Sequence, residues 1–203
     1  MIGHSRYQVS NKKAGIDNGV LENKLGIKDK KKLEEAETLL LADTYTHFFE
    51  LLKDDEVKFD LSLLFSIHKY FFHTLYSWAG KVRNVDISKD GMLFASVKYI
   101  DQTLQKFELL LKKKLPNSKD NKDTISKKLT LIHNEYNAIH PFREGNGRTI
   151  RLFLDLLVVN LGYDPIDWSK TKDSDYFKAC ILGMSGKNEL MTKIIKKGLK
   201  KSK

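Results

Sequence analysis

Apolar residues recur at intervals of three and four along most of the chain, and this spacing predicts a helical protein. After Ser96, one buried helix face is predicted at Ile100, Leu104, Phe107 and Leu111. The next segment repeats the pattern at Ile125, Leu129, Ile132, Tyr136 and Ile139. Asp29 and Asp60 precede two further periodic segments, and aspartate is a frequent N-cap. We therefore expect an all-α fold with helices that begin after these capping positions.

The exception to the helical pattern is the stretch "VDISKDGMLFA" at residues 85–95. Lys-Asp-Gly between two apolar runs predicts a β-hairpin, with Gly91 able to adopt a positive φ. An isolated hairpin is marginally stable unless it packs on helices or receives another strand. Its edge could also pair with an extended segment of a partner protein. Both a plain surface hairpin and a docking edge are compatible with the sequence.

Length and composition indicate a soluble globular protein with one domain. The chain has 203 residues, of which 41% are hydrophobic and 31% charged. No apolar run approaches the roughly 20 residues that a transmembrane helix needs, and the N-terminus lacks an apolar secretory core. The single cysteine, Cys180, excludes an intramolecular disulfide. We expect a cytoplasmic location; secretion into a host cell would also be compatible with these features.

The net charge of +10 raises the question of nucleic-acid binding. The lysines cluster at predicted helix ends, on exposed faces and in the tail "KIIKKGLKKSK". Solvated surface lysines are the commoner explanation of such a distribution. We therefore do not expect a nucleic-acid partner, although a phosphate-bearing ligand such as a nucleotide remains compatible.

The strongest chemical signal is "HPFREGNGRTIR" at residues 140–151. Pro141 disfavours helical geometry in the residue before it, so one helix is expected to end at or before His140. A new apolar period follows, so the next helix is expected to begin near Asn146 or Gly147. Gly145 and Gly147 permit backbone conformations in which amide groups point inward. Together with a helix N-terminus, these amides predict an anion-binding loop.

Charged and titratable residues around this loop could bind phosphate, bind a metal ion and accept a proton, as a group-transfer reaction requires. Arg148 and Arg151 lie three positions apart, hence on one helix face, and arginine binds phosphate well. Glu144 offers a carboxylate for Mg²⁺, an ion usually held by few carboxylates plus substrate phosphates. His140 offers a neutral imidazole as a general base. These residues predict phosphoryl or nucleotidyl transfer. They match neither a Walker A loop nor, with His133 and His140 seven apart, a zinc site.

The same stretch resembles the complete Fic motif, His-x-Phe-x-[Asp/Glu]-Gly-Asn-Gly-Arg-x-x-Arg, at every defined position. "LENKLGIKDKKKLEEAE" and "LFSIHKYFFHTLYSWAGKVRNVDISKDGMLFAS" resemble the entry segment and the helix plus flap of that family, so residues 20–190 are covered. The resemblance implies an all-α Fic bundle with a hairpin flap over the active-site loop. We expect an N-terminal extension at 1–20, a Fic domain at 21–184 with its active-site loop at 140–147, and a C-terminal inhibitory helix with a basic tail at 185–203.

The resemblance also implies a protein adenylyltransferase that moves AMP from ATP to a Ser, Thr or Tyr hydroxyl of a target protein. His140 would be the base, Phe142 would anchor the loop, and Glu144 would hold Mg²⁺. The implied phosphate-binding residues are Gly145, Asn146, Gly147, Arg148 and Arg151. The implied target-docking flap comprises Ile87, Ser88, Gly91, Met92, Leu93 and Phe94. Whether the chain self-associates is left open.

Other activities remain as alternatives at this point. Doc-type relatives carry Lys where this chain has Gly147 and transfer the γ-phosphate, so Gly147 favours AMP transfer. The motif is also compatible with phosphocholine transfer and with removal of AMP from a target. A binding module for nucleotides or nucleic acids is the non-enzymatic alternative. His140 beside Glu144 favours the enzyme, because a pure binder needs no base there.

Many family members carry an inhibitory helix with [Ser/Thr]-x-x-x-Glu-[Gly/Asn]. Ser185 and Glu189 have this spacing near the C-terminus, which would place them on one helix face. Leu190 and Gly186 depart from the pattern. The resulting hypothesis is an autoinhibited enzyme in which Glu189 pairs with Arg151. The alternative is a solvated glutamate among lysines.

Overall fold

The computed structural model describes residues 8–9, 15–17, 20–89 and 91–202. Helices dominate this part of the chain, which confirms the predicted all-α fold. The α-helices are α1 (Lys30–Lys53), α2 (Leu61–Phe72), α3 (Ile100–Lys114), α4 (Lys122–Ile139), α5 (Asn146–Asn160), α6 (Asp173–Met184) and α7 (Glu189–Gly198). Two 3₁₀ turns lie at Val97–Tyr99 and Trp168–Lys170. None of the helices described here is long and apolar enough to cross a membrane.

Two of the three predicted helix starts are capped as expected. The Asp29 carboxylate accepts a hydrogen bond from the Lys32 backbone N–H, and Asp60 accepts from Ser62 and Leu63. Ser96 differs, because its side chain makes no capping hydrogen bond and a 3₁₀ turn follows it. The α-helix α3 therefore begins only at Ile100.

The core lies around α4 and α5. The predicted apolar stripes of α3 and α4 are buried, and almost every residue from Thr149 to Val158 is buried as well. Helix α4 packs against α3, α5, α6 and α7, while α5 also contacts α1 and α2. The loop between α4 and α5 is thus held in place by most of the other helices.

The predicted hairpin is present and receives a third strand. Strands β4 (Ile87–Lys89) and β5 (Met92–Leu93) pair antiparallel, and Gly91 adopts a φ of 81°. Strand β1 (Gln8–Val9) pairs antiparallel with β4, so that β4 lies in the middle of the sheet. A separate ribbon joins β2 (Ile16–Asp17) to β3 (Val20–Leu21). An isolated hairpin is marginally stable. Strand β1 therefore adds the pairing that this hairpin needs.

Candidate active site

The loop between α4 and α5 begins at a residue with unusual backbone geometry. His140 caps α4 in the left-handed conformation, with φ 49° and ψ 61°, which non-glycine residues rarely adopt. Pro141 follows, and α5 begins at Asn146, as predicted. The chain therefore turns sharply at the candidate base and then enters a new helix N-terminus.

The imidazole of His140 is oriented by a backbone contact and a ring contact. Its Nδ1 lies 2.8 Å from the carbonyl oxygen of Asn137, so Nδ1 must carry the proton and Nε2 the lone pair. The ring of Phe94 stacks on it at a centroid distance of 3.8 Å. Burial lowers the pKa of His140 to about 3, and the nearby Arg83 and Lys89 act in the same direction. The imidazole is therefore neutral and has the tautomer of a base at Nε2.

Arg83 holds the backbone at this turn. Its buried guanidinium donates from Nε to the carbonyl oxygen of His140 at 2.8 Å and from Nη1 to that of Val85 at 2.7 Å. Nη2 donates to the carbonyl oxygens of Ala95 and Ile139. One side chain thus joins the end of α4, the motif loop and both ends of the hairpin.

The middle of the loop is anchored in the core, as predicted for Phe142. The Phe142 ring is fully buried and stacks on the His68 ring at 3.7 Å. The Gly80 N–H donates to Nδ1 of His68, so Nε2 carries a proton and donates to the Glu144 carbonyl at 3.0 Å. The side chain of Asn146 accepts from the Phe142 N–H and donates to its carbonyl. The side chain of Asn146 therefore holds the loop in place.

Glycine occupies two positions of the motif for different structural reasons. Gly145 adopts a φ of 79°, and a Cβ there would lie 2.2 Å from Cε2 of Phe72. Gly147 lies inside the first turn of α5 in helical geometry and does not use the backbone freedom that glycine permits. A Cβ at Gly147 would meet no atom within 4 Å. Gly147 therefore keeps open space beside the N-terminus of α5.

The two motif arginines lie three positions apart on α5 and have different neighbours. Arg148 Nη1 lies 2.6 Å from Oε2 of Glu37 in α1, and its Nη2 lies 3.5 Å from Oε1 of Glu144. Arg151 donates from Nε to the Gly147 carbonyl at 3.2 Å and lies over the Tyr176 ring of α6. The two guanidinium groups therefore contact different helices, α1 for Arg148 and α6 for Arg151.

Glu144 is buried beside these groups. Its Oε1 accepts a hydrogen bond from the Gly145 N–H at 2.9 Å. Within the described ranges, no three His, Cys, Asp or Glu residues form a cluster that could hold a metal ion. A single carboxylate at an anion-binding helix N-terminus fits Mg²⁺, which takes most of its other ligands from phosphates and water.

Comparison with known proteins agrees with this geometry. The Fic/DOC family model matches residues 58–158. A probable protein adenylyltransferase of Sinorhizobium fredii, y4lH, is 34% identical over 169 residues, which are 82% of this chain and 84% of the relative. The chain belongs to the Fic/DOC family.

Two further relatives of this Fic chain are a longer protein and a protein whose crystal structure contains a bound nucleotide. The protein adenylyltransferase VbhT of Bartonella schoenbuchensis is 37% identical over 184 residues, which are 90% of this chain. The chain spans only 38% of the length of VbhT. The crystal structure of BepC, a VirB-translocated effector of Bartonella tribocorum with bound AMPPNP, superposes with a TM-score of 0.76 at 25% identity, over 93% of this chain and 97% of that one.

The flap of this Fic chain presents one face to the protein and one to solvent. Ile87, Met92 and Phe94 are buried and pack with residues that include Phe177 and Met184 of α6. Leu93 points outward and is 79% exposed. Ser88 is half-buried in the central strand, where it faces Gln8 on one side and Leu93 on the other.

The Fic inhibitory helix expected at the C-terminus is not formed. Ser185 caps the end of α6 and donates to the Leu182 carbonyl, whereas Glu189 is the first residue of α7. Gly186, with a φ of 78°, breaks the helix between them. Glu189 is exposed beside Asp123 and Lys196, and no ion pair joins it to Arg151 in the part of the chain that is described. The expected shared helix face and the expected pair with Arg151 are both wrong.

Sequence reasoning missed several residues that support the site. Arg83, His68 and Glu37 lie outside the Fic motif, and each binds a motif residue. His68 stands among aromatic residues in "SIHKYFF", which is the one local sign that it is buried. His133 was expected only to pack or hydrogen-bond, and it does so with Asn134 and Tyr176.

Proposed function

We propose that this chain is a protein adenylyltransferase that transfers AMP from ATP to a Ser, Thr or Tyr hydroxyl of a target protein. The observation that carries the proposal is the state of His140, a neutral imidazole that is protonated on Nδ1 and lies at the end of α4, where the loop to α5 begins. The names of the relatives and the AMPPNP bound to BepC support the same activity.

In this reaction Nε2 of His140 takes the proton of the acceptor hydroxyl. The hydroxyl oxygen then attacks the α-phosphorus of ATP, and pyrophosphate leaves with the electrons of the broken P–O bond. A neutral imidazole is the required form of the base, and the buried site keeps it neutral at physiological pH. The carboxylate of Glu144 would hold Mg²⁺ against the phosphates, and the bound ion would neutralise part of their charge.

Positive groups for the phosphates surround the same point. The backbone N–H groups in the first turn of α5 have no partner within the helix and carry the positive end of its dipole. The space beside Gly147 lets a phosphate approach those groups. Arg148 contacts α1 and Arg151 contacts α6, and we propose that they bind different parts of the triphosphate.

The target would dock on the flap as an extended segment. Strand β4 accepts β1 in antiparallel register, with Val9 opposite Ile87 and Gln8 opposite Ser88. Two paired residues form a weak strand contact, so an incoming segment with a longer register can displace β1. We propose that the target segment takes this edge of β4, in competition with the start of the chain.

Competition at this edge has a direct test. Q8P/V9P removes both backbone N–H donors of β1, whereas the control Q8A/V9A retains them. We expect Q8P/V9P to label target proteins about two- to tenfold faster than the wild type, because a strand contact of this size is worth about 1 kcal/mol. The control should match the wild type. Equal rates for all three proteins would place the target at another surface.

Labelled ATP tests the reaction itself. Wild type and H140A are incubated with a cell lysate, Mg²⁺ and ATP labelled either at the α- or at the γ-phosphate. We expect protein-bound α-label with the wild type, and at least a hundredfold less with H140A. Transfer of γ-label alone would instead indicate a phosphotransferase. Equal transfer by H140A would refute the assigned base.

A further inference from the structure

A buried acid on α1 contacts the first arginine of the Fic motif. Glu37 is 4% exposed, although it stands among charged residues of α1. Its Oε1 accepts a hydrogen bond from the Tyr76 hydroxyl at 2.8 Å. Its Oε2 accepts from Nη1 of Arg148 at 2.6 Å. Because each oxygen has a different donor, the carboxylate is held in one orientation.

The guanidinium of Arg148 is confined on its faces as well. Its central carbon lies 4.8 Å from the ring centroid of Phe71 and 5.2 Å from that of Phe72. Arginine normally has a flexible side chain with many rotamers. The rings and the Glu37 carboxylate together leave this guanidinium little rotational freedom.

The second edge of the same guanidinium is buried and incompletely bonded. Nη2 has no hydrogen-bond partner within the described residues, and the Glu144 oxygen at 3.5 Å lies too far for a good bond. A buried donor without a partner is costly, so such groups usually mark a place that a water, ion or ligand completes. Nη2 lies beside Glu144, at the start of α5 where the phosphates are proposed to bind.

We propose that Glu37 is a positioning residue that presents Nη2 of Arg148 to the nucleotide phosphates. The inference rests on the proposed nucleotide-binding function and adds the residue that orients one of its arginines. Glu37 occupies Nη1 only, so a phosphate can bind at Nη2 without displacing the acid. Glu37 therefore assists phosphate binding, and it does not compete with the phosphates for Arg148.

The variant E37Q tests this role, because glutamine keeps the size of the side chain but loses the charge. We expect the affinity for AMPPNP with Mg²⁺, measured by calorimetry, to fall about tenfold or more, since a charged hydrogen bond is lost. In labelling assays the KM for ATP should rise by a similar factor, while the KM for the target remains unchanged. A residue needed only for stability would alter neither constant once the protein is folded.

The matched control is E35Q, which removes the same charge from an exposed glutamate of the same helix, paired only loosely with Lys31 at 4.0 Å. E35Q should bind AMPPNP like the wild type. Unchanged affinity in folded E37Q would overturn the proposal, and tighter binding would show that Glu37 competes with the phosphates.

If E37Q does not fold, Y76F decides the question. It keeps the ion pair and removes only the hydroxyl that orients Glu37, so AMPPNP affinity should fall about threefold; unchanged affinity would overturn the proposal. A failure of the proposed function looks different. In that case the wild type transfers no α-label, while the effect of E37Q on nucleotide binding remains measurable.

Discussion

Nε of Arg83 donates to the carbonyl oxygen of His140 at 2.8 Å, across 57 positions of sequence. His140 needs this contact because its left-handed backbone directs the carbonyl away from the helix that it ends. The other nitrogens of Arg83 bind Val85 and Ala95 at the two ends of the hairpin. The position of His140, the proposed base, and the position of the hairpin therefore depend on the same side chain.

We expect R83K to reduce transfer of α-label about a hundredfold. One ammonium group keeps the charge but cannot reach carbonyl oxygens in several segments, and each lost bond to a charged donor costs about 1.5–3 kcal/mol. AMPPNP binding should stay within about twofold of wild type, because Arg83 lies at the base and flap and not at the start of α5. The control K81Q alters an exposed residue of the same segment and should behave like the wild type. Parallel losses of binding and transfer in R83K would contradict the assignment.

Alanine at the two motif glycines should separate stability from function. G145A places a Cβ 2.2 Å from the Phe72 ring in a left-handed backbone, so we expect a loss of about 2–4 kcal/mol in the free energy of unfolding. G147A adds a methyl group in open space on a helix and should leave stability unchanged or raise it by up to about 1 kcal/mol. Because that methyl group enters the anion site, G147A should still weaken AMPPNP binding. Denaturant unfolding and calorimetry measure the two effects.

Stability should fall as the pH drops from 6.5 to 5. Burial lowers the pKa of His68 and His140 to about 3 and that of His133 to about 4, so the unfolded chain binds these protons first. Burial raises the pKa of Asp155 to about 6, which acts in the opposite direction and offsets one proton. The net difference of two protons gives a limiting slope of about 3 kcal/mol per pH unit. In urea unfolding, H133Q should flatten this dependence, whereas H73Q, at an exposed position, should not.

We expect E189Q to label targets at the wild-type rate. Glu189 lies at the exposed start of α7, beside Lys196 and Asp123 and without a contact to Arg151 in the described structure. The charge of Glu189 is therefore not expected to affect ATP binding at the proposed triphosphate site. Faster labelling by E189Q would support an inhibitory role for Glu189. In that case α7 would have to move to bring Glu189 to Arg151.

The motif and the helices were predictable because their information is local. Residues 140–151 carry the proposed base, the acid and the proposed anion loop in one contiguous stretch, and burial of Leu104 or Ile132 follows from helical spacing alone. The hairpin was predictable for the same reason, because its turn is encoded by adjacent residues.

The supporting contacts were not predictable because they join distant segments. Glu37 and Arg148 are 111 positions apart, and Glu37 stands among charged residues that resemble an exposed helix face. Periodicity shows which residues are buried but not which partner each one contacts. The Ser185–Glu189 spacing failed for another reason, because Gly186 ends the helix that the spacing assumed to be continuous.

The left-handed turn at His140 also makes the proposed activity depend on the folded state of the chain. A local hydrogen bond to Asn137 in α4 selects the tautomer of His140, whereas tertiary contacts with Phe94 and Arg83 hold its ring and its carbonyl group. An unfolded chain keeps the motif sequence but lacks the contacts with Phe94 and Arg83. If the chain modifies other proteins as we propose, only folded molecules have the arrangement that this reaction needs.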